Sequence, residues 1–449
     1  MPPEILSRIA ECFLDKNATD ARSIIPLTHV CQYWRESIVS APEIWSLISS
    51  DVMGLTALSL ERSKAAPLHL RIEDSPFGQE FHDIIAPHIR KTETLEFEGH
   101  ITIRDVTQML PNFPRSTPNL RSLELIRTDD EPRWDPSVDP FVPFPQTMRS
   151  LRLCDIPLYP SFFKLRTLTK LTLQYYLIRT PLDTILDFLE ENHALESVDL
   201  VINVGEFPIH IPQRRPAAKN QLSHLSIMCW NAVVARTLIS GIPLRRGAHL
   251  GLTLSFEDVE FGLSDVLSGL SITHLSNLPS PTFMEYCSRP RKIQLTGPNG
   301  SFSYSHRMHP GTPFKELTVL SLTNIREICL TRDDDPPVVF HPSSFPALET
   351  LTFQRNADVS PLFSALFPDP SFFPSLKTLK FLDCVTTGEF MGELTHFASH
   401  RKVTASAWLN RVVIIRQDGS FSTVASIRGL EEHVPIVDVQ LADISPCSS

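Results

Sequence analysis

The chain has 449 residues, 42% hydrophobic and 20% charged, the balance of a folded protein with a substantial core. Its formal net charge of −10, with no dense Lys/Arg run to offset it, repels phosphate backbones and argues against nucleic acid as a partner. The eight cysteines form no Cys-x-x-Cys pair and so give no zinc-ligand spacing, and no stretch approaches the ~18 uninterrupted apolar residues of a membrane span.

Met1-Pro2-Pro3-Glu4 lacks the basic flank and apolar run of a signal peptide, which predicts reduced thiols and a cytoplasmic and/or nuclear location. The prolines at 2 and 3 stand where a helix begins, and Glu4 complements the positive end of its dipole. Ile5, Leu6, Ile9 and Phe13 then recur at helical spacing. After the polar stretch 15–20, Pro26 opens a second predicted helix with Leu27, Val30, Cys31, Trp34 and Ile38 on one stripe. Pro42 begins a third short element carrying Ile44, Trp45 and Leu47. Three such helices bury little core alone, so some of this surface is expected to pack on a partner or on the following residues.

Three landmarks carry a resemblance: Pro2-Pro3-Glu4-Ile5-Leu6, then Val30-Cys31-Gln32-Tyr33-Trp34, then Pro42-Glu43-Ile44-Trp45. In order and spacing they resemble the F-box family, whose pattern is Leu-Pro-x-Glu-Ile/Leu-Leu, Val-Cys-x-x-Trp and Pro-x-Leu/Ile-Trp. Met1 stands where the family has its leading Leu. The resemblance covers residues 1–48. It implies binding to the Skp adaptor, and through it to the cullin subunit, of a Skp–cullin–F-box ubiquitin ligase. Carried over by position, the adaptor contacts would be Pro2, Pro3, Ile5, Leu6, Ile9, Leu27 and Val30. Phe13, Cys31, Trp34 and Trp45 would hold the helices together.

From residue 49 onward one phrase keeps returning, as Leu120-Arg-Ser-Leu123-Glu-Leu125, Met148-Arg-Ser-Leu151-Arg-Leu153 and Leu168-Thr-Lys-Leu171-Thr-Leu173. Further copies are Leu195–Leu200, Leu222–Ile227, Leu317–Leu322, Leu348–Phe353 and Leu376–Phe381, with weaker relatives at Thr94–Phe97, Leu250–Leu254, Ile272–Leu275, Arg291–Leu295 and Leu409–Ile414. Alternation of apolar and polar residues marks a strand with one buried face, and the spacing is that of leucine-rich repeats. The predicted architecture is α/β: a helical module at 1–48, then a leucine-rich-repeat-like solenoid with a curved parallel sheet over 49–449, including a C-terminal tail from about 430. Helices are predicted at Pro181–Glu191, Ala232–Ile239 and Asp358–Leu366. Where Phe-Pro precedes a strand, as at Phe345-Pro346 and Phe373-Pro374, the aromatic ring should plug the core.

Four long segments, Arg127–Thr147, Val204–Asn220, Gly297–Phe314 and Thr331–Pro346, lack periodicity and read as loops. Binding hot spots favour Trp, Tyr and Arg, so the candidate anchors for an unidentified target protein are Trp134, Phe141 and Phe144 in one loop and Phe302, Tyr304 and Arg307 in another. Arg152 joins them from the strand face. Across the strands one exposed row should read Glu124, Arg152, Thr172, Asp199 and Ser226. No phosphate cradle, nucleophile elbow or zinc pair occurs, which points to a non-catalytic protein without cofactor or metal. The alternative to a ligase receptor is a repeat scaffold for protein interaction with no ligase role.

Overall fold

A computed structural model describes residues 2–17, 24–50, 53–73, 79–99, 117–128, 144–176, 182–202, 222–230, 232–242, 244–255, 283–288, 291–297, 300–307, 326–331, 345–354, 359, 363–364, 367, 373–384, 387–404, 408–416 and 424–441. These fall into two compact units, residues 1–222 and 223–449.

The first unit opens with α1 (Pro3–Asn17), α2 (Ile25–Thr28) and α3 (Gln32–Ser40), followed by a 3₁₀ turn at Pro42–Trp45. The single second helix expected from the apolar stripe is thus two helices. Cys31 adopts an extended backbone, φ −160° and ψ 171°, and serves as the N-cap of α3. The break is held on both sides, by Thr28 Oγ1 donating to the Ile25 carbonyl and by Arg35 Nε donating to the Thr28 carbonyl. Ala10, Ile24, Ile38, Ile44 and Trp45 form the core, with Leu27, Trp34 and Leu47 packed on its rim. Leu55 and Leu58 of α4 (Met53–Ser63) join that rim, so the apolar packing runs across the boundary at residue 48.

Beyond these helices the unit is a parallel ladder: β1 (Leu47–Ser49), β2 (Leu68–Ile72), β3 (Thr92–Gly99), β4 (Ser122–Arg127), β5 (Ser150–Cys154), β6 (Lys170–Tyr175) and β7 (Ser197–Ile202). The central leucines stay in register: Leu70 faces Leu95, Leu95 faces Leu123, and the line continues through Leu151, Leu171 and Val198. All six are buried. Alternation along each strand produces this, because period-2 side chains place every second residue on the covered face. Tight turns lead into the strands, with the Leu120 amide bonded to the Thr117 carbonyl and Met148 to Pro145. Helices α5 (Gln79–Ile85) and α6 (Leu182–Glu191) lie between strands. In α6, Leu182, Ile185, Phe188 and Leu189 are buried at helical spacing, as the sequence predicts.

The second unit contains β8 (Leu222–Cys229), α7 (Ala232–Gly241), β9 (Leu244–Ser255), β10 (Phe283–Ser288), β11 (Arg291–Gly297), β12 (Gly300–Arg307) and β13 (Glu327–Thr331). It continues through β14 (Thr350–Gln354), β15 (Thr378–Leu382), α8 (Gly388–Thr404), β16 (Arg411–Arg416), α9 (Val424–Glu431) and β17 (Ile436–Leu441). Strands β13 to β17 pair parallel in sequence order. The expected all-parallel sheet is interrupted: β10 with β11 and β11 with β12 pair antiparallel. Only residues 289–290 and 298–299 separate these strands, and two residues cannot make a parallel crossover. Strand β17 also lies within the segment expected to be a tail from about 430, over residues 436–441.

The aromatic plugs lie where expected. Phe345 and Phe373 are buried, and Phe353 stacks on Phe381 at 5.1 Å with rings 5° apart. Phe363, Phe390 and Phe397 meet edge to face beside them, a geometry favoured by ring quadrupoles. Arg401 is buried within this cluster, donating to the carbonyls of Phe373 (3.3 Å) and Leu376 (3.1 Å), and burial depresses its pKa. Among the described residues no helix is long and apolar enough to cross a membrane.

Candidate functional site

Two surfaces of the first unit combine residues that a partner could use. One is the set of exposed apolar side chains on and between α1, α2 and α3. Ile5, Ile9, Ile25, Val30 and Tyr33 are exposed there, Ile5 by 48% and Val30 by 58%. Helical geometry explains the division on α1. Leu6 and Ala10 share one stripe and are buried, whereas Ile5 and Ile9, rotated by one residue, share the neighbouring stripe and face outward. Pro2 is exposed and Leu27 half-buried. The side chains of Pro3 and Phe13 lie outside the described residues.

Two sequence expectations are corrected in this module. Leu6, assigned to an adaptor surface, is interior at 1% exposure. Cys31, assigned to the core, is exposed, because its extended N-cap backbone turns the side chain off the helical stripe. Trp45 is the residue the core closes on. Its ring is buried, Nε1 donates to the Ile38 carbonyl at 2.9 Å, and the Arg62 guanidinium sits 4.4 Å from the ring centroid. Trp34 packs on the same core from its rim.

The other surface is the uncovered face of β2 to β7. Strand pairing produces the row Arg71, Glu96, Glu124, Arg152, Thr172 and Asp199, which contains the first four residues read from the sequence as one row. The flanking row is mostly small: Thr94, Ser122, Ser150, Lys170 and Ser197. Arg71 is ringed by three carboxylates. Its Nε is 2.9 Å from Glu73 Oε1 and 3.7 Å from Glu96 Oε1, and its Nη2 pairs with Glu98. Burial alone would lower the Arg71 pKa, but the three carboxylates together raise it. The His69 imidazole, then the charges of Arg71 and Arg152, hold the Glu96 carboxyl below the usual carboxylate range against the opposing effect of burial. His69 Nε2 lies 3.6 Å from Glu96 Oε2, an ion-pair distance.

Arg152 reaches Glu124 Oε2 at 3.3 Å and Gln174 Oε1 at 3.4 Å, and its side chain is 39% exposed. At the end of the same strand the Cys154 thiol is pushed up to about 11, first by burial and then by Asp155. Asp155 itself has φ of 53° and accepts the Tyr176 amide at 2.8 Å, closing the turn below the face.

The loop anchors fare differently. Phe144 is buried at 4% exposure and stacks on Phe162 at 5.1 Å, so it is core rather than a binding residue. The signal was present: Phe144-Pro145 repeats the Phe-Pro pattern of residues 345–346 and 373–374. Phe302, Tyr304 and Arg307 stand on strand β12 and not on a loop. Asn299-Gly300 is a hairpin signal at that point, set in a segment that otherwise lacks periodicity. The side chains of β12 lie outside the described residues, as do Trp134 and Phe141 entirely.

Among the described residues no group of three or more His, Cys, Asp or Glu is placed to hold a metal. No protein-family model and no curated protein sequence matches the chain.

Proposed function

We propose that the chain is a substrate receptor of a Skp–cullin–F-box ubiquitin ligase, with residues 1–48 as an F-box that docks the Skp adaptor and the remainder as a leucine-rich-repeat-like solenoid that holds a target protein. The observation that carries the reading is where the exposed apolar side chains lie. Of nine large hydrophobic residues exposed among the described residues, five (Ile5, Ile9, Ile25, Val30, Tyr33) belong to the first 33 positions. Apolar side chains gathered around one small module mark an interaction surface, whereas isolated ones need no explanation. The module carries the F-box landmarks, and the parallel ladder behind it supplies a registered face for a target.

In this role the protein does no chemistry. It holds a target beside a ligase-bound conjugating enzyme and raises the effective concentration of the target's lysines there. The test is co-purification of the full chain with purified Skp adaptor, compared with an Ile5→Asp/Val30→Asp variant. Both positions are exposed, so the fold should survive, while two unpaired carboxylates in an apolar interface would cost several kcal/mol of binding. Loss of adaptor binding by a folded variant is the expected result. Failure of the parent chain to bind would leave the interaction scaffold without a ligase role as the better reading, and full binding by the variant would take the adaptor surface away from Ile5 and Val30.

A further inference from the structure

The last strand of the second unit ends its parallel ladder with one edge open. Strand β17 pairs with β16 on one side, and among the described residues no strand pairs with its other side. The covered column is unfinished there as well. Val412 and Ile414 of β16 are buried, whereas their partners on β17, Val437 and Val439, are only half-buried. Proteins usually blunt such an edge with Lys, Pro or a bulge. Ile436–Leu441 has none of these: it carries no Lys or Pro, its register with β16 is unbroken, and Ile436 is 52% exposed. The backbone fixes which groups the edge offers. The Ile436 amide donates to the Asn410 carbonyl at 3.2 Å and so points toward β16. Strand alternation turns the N–H and C=O of Asp438 and Gln440 the same way, and those of Val437, Val439 and Leu441 outward. About Val439 the strand is complementary to itself. Val437 and Leu441 lie two places to either side, and Asp438 and Gln440, an acceptor and an amide donor, lie one place to either side. Within the chain Gln440 Nε2 already donates to Asp438 Oδ1 at 3.1 Å.

We propose that β17 is a self-association edge, on which a second copy of this chain lies antiparallel about a twofold axis at Val439. The two Val439 residues exchange N–H···O=C bonds, and Val437 of each copy does so with Leu441 of the other. Asp438 then stands opposite Gln440 of the second copy in the closer, non-hydrogen-bonded pairs, where side chains meet. An axis one residue earlier, at Asp438, would oppose two carboxylates at that close spacing and is disfavoured. The second strand also covers the half-buried Val437 and Val439. A twofold contact requires this self-complementarity, which is why a second copy fits the edge better than an unrelated segment.

The experiment is sedimentation velocity on the full chain over a concentration series at physiological salt, which screens repulsion between two chains of net charge −10. A monomer–dimer equilibrium is expected. Val439→Pro deletes an outward N–H and no bond to β16, so the ladder should stand while association weakens about a hundredfold or more. Gln440→Glu changes no backbone bond and sets a carboxylate opposite Asp438 of the second copy, so it should weaken association about tenfold. Should the Pro variant fold poorly, Gln440→Glu alone decides. Asp438→Gln/Gln440→Asp exchanges acceptor and donor between positions that the twofold sets opposite each other, and should restore association to within about threefold of the parent. A chain that stays monomeric, a dimer that tolerates Gln440→Glu or a folded Val439→Pro, or a double variant as weak as Gln440→Glu would each overturn the proposal.

Discussion

Replacing Trp45 by Ala should open the helical module while the ladder beyond it stays folded. Trp45 is 1% exposed, and its ring contacts a core built from α1, α3 and the 3₁₀ turn. Truncating a buried aromatic to Ala costs about 3–5 kcal/mol, the lost transfer energy plus the cavity left behind. The change also takes from the Ile38 carbonyl the indole N–H at 2.9 Å, leaving it the Ala41 amide at 3.3 Å, and removes the seat of the Arg62 guanidinium. Trp45→Phe separates these effects, since it keeps much of the ring volume and deletes the N–H, at about 1 kcal/mol for the hydrogen bond. Amide hydrogen exchange over residues 32–48 of the full chain reports the local opening free energy directly. The Ala variant should exchange roughly a hundredfold faster or more, and the Phe variant about fivefold faster, since each 1.4 kcal/mol is a factor of ten. If the two variants exchange alike, or neither departs from the parent, Trp45 does not close this core.

The Cys154 thiol, pushed up to about 11, should be only about one part in a thousand thiolate at pH 8. In the folded chain mass spectrometry should therefore find Cys12 and Cys31, both exposed, alkylated well before Cys154, and equal rates would contradict its burial. Glu96 has a folded pKa below its unfolded value, so its contribution to stability is present above about pH 4.5 and is lost as pH falls through the lower folded value. The difference in urea midpoint between the parent and Glu96→Gln should shrink across that acidic window, and a difference that stays constant would remove Glu96 from the account.

The ladder was legible because its signal is repeated. Leu95, Leu123, Leu151, Leu171 and Val198 each sit in the same short alternating phrase, and period-2 geometry leaves one way to bury them all. Row membership followed without any knowledge of the connections. What stayed hidden depends on context that one stripe does not carry. Leu6 and Ile5 are equally apolar and adjacent, and only the docking angle of α1 decides which is buried. Cys31 fell on the stripe of a continuous helix that the backbone interrupts. Arg71 was missed altogether, since its significance arises from Glu73, Glu96 and Glu98 meeting it across strands. For Phe144 the signal was in the sequence, since its Phe-Pro context is that of Phe345 and Phe373, which are also buried.

The central apolar residues at 95, 123, 151, 171 and 198 are separated by unequal lengths of chain, yet they meet without offset. The connections therefore absorb insertions and deletions that the strands never feel. Each cell of the charged grid can then be rewritten by a single codon change, with its neighbours left in place. Lineages carrying such a grid can explore new surface chemistries one cell at a time, while length variation accumulates separately at the margins. Affinity for a new ligand need not wait for a new backbone.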